Sequence, residues 1–168
     1  MSVIRRLILQ EARRRYDAML EDGVVASLSP TPPAFILSTI DLLTLNQNSL
    51  VVELGCGDGR WLKAIHARFH SLCVGVEMDN DRLESAKCSG IQEYELVLGD
   101  MFTLSFTAAT HIIFYLSVEG NKRVYEKVKR DCRVGTVLLA IGFHVPELNP
   151  PTEVFSSCGL NAYKYIIM

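Results

Sequence analysis

Val51-Val52-Glu53-Leu54-Gly55-Cys56-Gly57-Asp58-Gly59-Arg60 decides the fold. The apolar run from Leu50 to Leu54 reads as a buried strand. Glycine then stands at every second position, at 55, 57 and 59. A helical stripe follows at once, with Trp61, Leu62, Ile65 and Phe69 on one face. Strand, glycine turn and helix make the front half of a βαβ nucleotide-binding unit. The glycines let the backbone turn tightly with positive φ and let a ligand approach where a Cβ would stand. The helix beyond presents free N–H groups at its start.

The spacing separates two readings. A dinucleotide fingerprint is G-x-G-x-x-G, with a pyrophosphate on the helix N-terminus. Here the pattern is G-x-G-x-G, with Glu53 before it and Asp58 inside it. Carboxylates at these positions would repel a pyrophosphate and favour a ligand carrying positive charge, such as an α-amino group and a sulfonium. The plainer alternative is a glycine turn that holds no ligand. The stretch resembles motif I of the Rossmann-like S-adenosylmethionine methyltransferases (E/D-x-G-x-G-x-G).

Further strands support the ligand-binding reading. Cys73-Val74-Gly75-Val76-Glu77 reads as a second strand. It ends in a carboxylate about 20 residues past the turn, where such a group accepts hydrogen bonds from a ribose diol. Leu96-Val97-Leu98-Gly99-Asp100 reads as a third strand, followed by Met101 and Phe102. The resemblance implies that Asp100 receives the adenine amino group and that the next residues flank the ring. Glu53, Glu77 and Asp100 are thus expected at one edge of a parallel sheet, where such sheets bind ligands.

Composition narrows the class. The chain has 168 residues, a formal net charge of −2, 49% apolar residues and 21% charged residues. This points to one soluble globular domain, divided here into an N-terminal helical extension (1–28) and a catalytic core (29–168). The charge argues against a generally basic nucleic-acid surface. The five cysteines, Cys56, Cys73, Cys88, Cys132 and Cys158, form no C-x-x-C pair. Reduced thiols and no metal site are expected, with the four histidines gathered nowhere near them. No apolar run suggests a transmembrane helix. The first ten residues are basic and apolar, but Glu11, Asp17, Glu21 and Asp22 follow. A cytoplasmic location is therefore expected, with a mitochondrial one as the alternative.

Taken in order, residues 3–21 read as an amphipathic helix with an arginine-rich face. Pro30-Thr31-Pro32-Pro33 is a stiff extended segment. It is either a linker or a lid that brings the Thr31 hydroxyl toward a ligand. A helix is expected over 34–45. Asp79-Asn80-Asp81 should cap a helix running to 88. Residues 110–116 read as a fourth strand, 119–131 as a basic helix and 137–141 as a fifth strand. Residues 154–157 and 162–168 read as a terminal antiparallel pair. The alternation predicts an α/β fold with a mostly parallel sheet and helices on both faces. The resemblance implies a seven-stranded sheet with an antiparallel terminal strand.

One group matches more of the chain, over residues 30–168. Pro-Thr-Pro at 30–32, V-x-E-L-G-C-G-D-G-R, G-V-E, G-D-M-F and Phe114-Tyr115-Leu116 before a basic helix are similar to the small archaeal protein lysine methyltransferases. They are also similar to the related ATP synthase c subunit lysine methyltransferases. The resemblance implies S-adenosylmethionine as cofactor and a protein lysine as acceptor, with no stable nucleic-acid partner. It assigns cofactor contacts to Thr31, Glu53, Gly55, Cys56, Gly57, Asp58, Gly59, Glu77, Met78, Asp100, Met101, Phe102 and Tyr115. Tyr115 is also the expected catalytic wall beside the methyl group, where an aromatic face can stabilise a cation. Ile141-Gly142-Phe143 departs from the polar and acidic residues common after the fifth strand. Phe114-Tyr115-Leu116-Ser117 replaces the N/D-P-P-Y/W of amino-methylating nucleobase enzymes. A small-molecule or RNA methyltransferase, and an inactive binding protein on the same scaffold, are the rival readings. Sequence leaves the oligomeric state open.

Overall fold

The computed structural model describes residues 30–88 and 94–168. The helix expected over 3–21 and the stop at 89–90 lie outside them. Helix α1 is Pro33–Thr39, with Pro33 in its first turn, and a 3-10 turn over Ile40–Leu43 continues it. The helix expected over 34–45 therefore tightens halfway and ends at Thr44, which is left-handed. Next come β1 (Leu50–Leu54), α2 (Arg60–Phe69), β2 (Leu72–Glu77), α3 (Asn80–Cys88) and β3 (Glu95–Leu98). They are followed by β4 (His111–Phe114), α4 (Val118–Asp131), β5 (Val137–Ile141), β6 (Glu153–Ser157) and β7 (Leu160–Ile166).

The strands form one seven-stranded sheet in the order β3-β2-β1-β4-β5-β7-β6. Strands β1 to β5 run parallel, and β7 is antiparallel to both its neighbours. The β6–β7 hairpin turns at Cys158-Gly159, both with positive φ. That is the handedness a two-residue turn needs to match strand twist. Gly55 N–H and Cys56 N–H both donate to the carbonyl of Val76, which pins the glycine turn to β2.

Strand alternation separates two cores. Val51, Cys73, Ile113, Leu139 and Ile141 face one side of the sheet. They pack with Phe35 and Ile36 of α1 and with Trp61, Leu62 and Ile65 of α2. Val52, Leu54, Ile112, Phe114, Leu138 and Ala140 face the other side, against Val124 and Val128 of α4. Helices therefore cover both faces, as expected. The central strands read as unbroken apolar runs because both of their faces are buried. Helix α4 starts where the Ser117 hydroxyl accepts the Gly120 N–H at 3.0 Å, with Lys129 and Arg130 in its last turn.

The chain steps outward from β1 through β2 to β3, then crosses back to β4 on the far side of β1. This reversal is the topological switch point, and the crevice outside the carboxyl ends of β1 and β4 is where such sheets bind ligands.

Candidate functional site

The glycine turn occupies that crevice. Gly55, Gly57 and Gly59 all have positive φ, at 73°, 54° and 71°. A Cβ on Gly57 would meet nothing within 4 Å, so this position faces open space. At Gly55 a Cβ would stand 3.8 Å from Cε of Met101 and 3.9 Å from Cδ2 of Leu116. The loops after β3 and β4 thus reach the turn.

Each strand end brings its acid. Glu77 is 4% exposed. Its Oε2 accepts the Gly57 N–H at 2.9 Å, and its Oε1 accepts the N–H groups of Met78 and Asp79 at 2.9 and 3.0 Å. Beside it the Gly99 N–H donates to the Glu77 carbonyl, which sets Asp100 next in line. Asp100 is exposed, and its Oδ1 accepts the Phe102 N–H at 2.9 Å. Its second oxygen remains available as an acceptor.

Glu53 is the unsatisfied member. It is 6% exposed, and its Oε2 has no hydrogen-bond partner among the described residues. Burial first, then the Asp58 and Glu77 carboxylates, hold its carboxyl well above the usual carboxylate range. Arg60 and the Leu62 N–H pull weakly the other way. A buried acid with an orphaned oxygen fits a cationic group arriving from outside.

Asp58 is engaged within the chain. Its carboxylate takes the Arg60 guanidinium through Nε and Nη2, and this hydrogen bond is the main cause of its lowered pKa. Nη1 of the same arginine donates to the Thr31 carbonyl at 2.8 Å. The Thr31 hydroxyl accepts the Trp61 Nε1–H at 3.1 Å. The Pro-Thr-Pro segment is therefore clamped to the start of α2, with Thr31 buried beside the turn. The Cys56 side chain points into the core, where Sγ would stand 2.7 Å from a Cβ on Gly75. Burial, and then Glu53 and Glu77, push its thiol far up, so it stays protonated. Only its backbone is left to face a ligand.

Met78 lies exposed at the end of β2, and Phe102 carries the Arg123 guanidinium 3.9 Å above its ring. Tyr115 leaves the end of β4, half-buried, with its ring against Gly142. Sequence reasoning missed Arg60, Trp61, Leu116 and Tyr94, whose hydroxyl lies 3.2 Å from a Cβ on Gly59. Arg60 and Trp61 directly follow the turn and could have been weighed with it. Tyr94 carries no such signal. Among the described residues no group of three metal-ligating side chains is placed to hold an ion.

A switched parallel sheet with an antiparallel β7, a G-x-G-x-G turn and acids at three successive strand ends defines the class I methyltransferase architecture. A match to the ANTKMT methyltransferase domain spans residues 53–152. The chain belongs to that family, and it is an S-adenosylmethionine-dependent methyltransferase. It is also similar to a protein-lysine N-methyltransferase of Saccharolobus islandicus (strain REY15A). The two are 26% identical over 127 residues, which make up 72% of this chain and 79% of the relative. Among solved structures, an RNA methyltransferase from Salinibacter ruber with bound S-adenosyl-L-homocysteine aligns with a TM-score of 0.77 at 24% identity. That alignment covers 83% of this chain and 94% of the other. A geranyl diphosphate C-methyltransferase from Streptomyces coelicolor A3(2) aligns with a TM-score of 0.55 at 19% identity, over 64% and 44% of the two chains. At these identities the structural likenesses show the fold alone.

Proposed function

We propose that this methyltransferase acts on a lysine side chain of a protein and holds its donor with the residues at the ends of β1, β2 and β3. The observation that carries the donor site is the orphaned, buried Glu53 oxygen beside the open cradle at Gly57. S-adenosylmethionine, when bound, supplies a methyl group already activated on a sulfonium. Glu53 and the backbone of Gly55 to Gly59 face its amino-acid tail. Glu77, anchored by three N–H groups, keeps a lone pair on Oε2 for a ribose hydroxyl. Asp100, Met101 and Phe102 receive the adenine, Met78 covers it, and Tyr115 walls the reacting end.

With so good a leaving group the chain mainly positions its reactants, and orientation alone can supply about 7–11 kcal/mol of the barrier. A lysine acceptor must first lose a proton to solvent, which costs about 4 kcal/mol from pKa ~10.4 to pH ~7.4. Desolvation of the acceptor as it docks lowers that cost without a dedicated base. The lysine assignment draws support from the Saccharolobus relative. No helix among the described residues is long and apolar enough to cross a membrane. The buried free thiols Cys56 and Cys73 fit a reducing compartment, and we place the protein in the cytoplasm, with the mitochondrion as the alternative.

Calorimetric titration tests the donor, with NAD as control and Asp100→Ala beside wild type. Micromolar binding of S-adenosylmethionine, weakened in the variant and absent for NAD, is expected. Tritium-labelled donor with a cell lysate then tests the acceptor. Label in methyl-lysine after acid hydrolysis is expected, and label confined to RNA or small molecules would overturn the lysine assignment.

A further inference from the structure

Gly142 follows β5 directly and has φ +78°. A Cβ built there would lie 2.5 Å from Cε2 of Tyr115 and 3.3 Å from its Cδ2 and Cζ. Neither the backbone conformation nor the space admits a side chain. The β4–β5 register sets this meeting. Phe114 stands opposite Ala140, so Tyr115 leaves β4 level with the end of β5.

The glycine cannot readily withdraw from the ring. Its N–H donates to the Asn161 carbonyl of β7 at 2.8 Å. The next two carbonyls, of Phe143 and His144, accept Nδ2 of the buried Asn121 at 2.8 and 3.2 Å. The loop is thus held from β7 on one side and α4 on the other. If a side chain were added, the ring would be the part to move. The next residue in β4's exit, Leu116, reaches the glycine turn, so the ring stands on the segment that borders the crevice.

We propose that Gly142 is a specificity-determining positioning residue. Its missing side chain keeps the Tyr115 ring where the ring favours a positively charged sulfonium donor over the neutral thioether product. This rests on the donor site proposed above. A cation against an aromatic face at a partly exposed site is worth about two- to fivefold in affinity.

The test measures affinities for S-adenosylmethionine and S-adenosylhomocysteine by calorimetry, with thermal melting alongside. The proteins are wild type, Gly142→Ala, Tyr115→Leu and the double variant. In both single variants the ratio of affinities should shift toward the thioether by about two- to fivefold. In the Tyr115→Leu background, Gly142→Ala should shift it no further. A purely structural role would weaken both ligands equally and keep the ratio, which would overturn the proposal. So would an unchanged ratio in Tyr115→Leu. The strain of positive φ is common to both backgrounds, so Gly142→Ala should cost less Tm beside Tyr115→Leu than beside Tyr115; an equal cost would count against the Cβ–ring conflict. Failure of wild type to bind either ligand would instead remove the donor site itself, and this inference with it.

Discussion

Trp61 donates its indole Nε1–H to the Thr31 hydroxyl, 30 residues earlier in the chain, at 3.1 Å. With the Arg60 guanidinium on the Thr31 carbonyl, this bond fixes the Pro-Thr-Pro segment across the start of α2. The two partners are not equivalent under mutation. Thr31→Val strands a buried N–H and should cost about 1–3 kcal/mol, whereas Trp61→Phe removes the donor and loses only the net bond, about 0.5–1.5 kcal/mol plus the packing of the larger ring. Urea denaturation of both variants checks the order. Equal loss, or a larger loss in Trp61→Phe than its packing explains, would contradict the clamp.

Glu53 opposes stability and favours binding. Its folded pKa is raised, so the folded state holds its proton to higher pH than the unfolded chain, which releases it near pH ~4.3. Stability is therefore lost as pH rises through and above that value. Glu53→Gln should melt higher than wild type near pH 7, with the gap closing toward pH 4. In a domain of this size each kcal/mol recovered raises Tm by about 2–4 °C. The same variant should bind S-adenosylmethionine at least tenfold more weakly, a loss of about 1.4 kcal/mol. Melting curves from pH 4 to 8 and calorimetry at pH 7 read the two effects.

Donor binding should itself move a proton. A cationic donor tail favours ionised Glu53, so binding should release protons and strengthen as pH rises. Calorimetry in two buffers of different ionisation enthalpy should give different apparent binding enthalpies for wild type and the same value for Glu53→Gln. Buffer-independent heat in wild type would show that Glu53 is already charged.

His111 sits at the other end of the sheet and gives a separate pH signature. Its Nε2–H donates to the Leu43 carbonyl at 2.8 Å, and its Nδ1 lies 2.8 Å from the Thr110 hydroxyl. Burial is the main cause of its lowered pKa, with the Lys164 charge adding to it. The unfolded chain thus takes up the proton first, and stability falls as pH drops below ~6.5. His111→Gln should flatten the decline in Tm between pH 6.5 and 5 while leaving donor binding unchanged.

Gly75 has no room for a side chain. A Cβ there would stand 2.6 Å from Cδ1 of Leu62 and 2.7 Å from Sγ of Cys56. Gly75→Ala should destabilise by about 1–3 kcal/mol through overpacking. Cys56→Ala in the same chain should restore part of that loss, which denaturant titration of the double variant would show.

What the sequence disclosed and what it hid follow from where the information lies. The glycine turn, β1 and α2 were legible because strand length, glycine spacing and helical period are local. The positions of the acids at 77 and 100 were legible because each closes an apolar run, and that of Glu53 because it stands one residue inside the end of another. The insertion of β7 beside β5 was anticipated through the resemblance rather than from periodicity, since a hairpin's place in a sheet is a tertiary choice. Asp58 read as a group facing the ligand, but Arg60, two residues on, takes its charge. The pairings Tyr115–Gly142 and Tyr94–Gly59 were not legible: they depend on strand register, and no spacing encodes them. The helix expected over 34–45 gives way to a 3-10 turn over Ile40–Leu43, and no local spacing marks that change, since residues three apart share a face in either helix.

The placement of β7 also has a consequence for how the molecule is made. Strand β5 is complete at Ile141, but the strand that covers its open side begins only at Leu160. During synthesis the Val-Leu-Leu-Ala-Ile edge must wait for those later residues, for a time on the order of seconds at cellular elongation rates. An uncapped apolar edge is a template for pairing with a neighbouring chain. Released chains in which β7 has not yet docked should therefore associate, and chains in which it has docked should not.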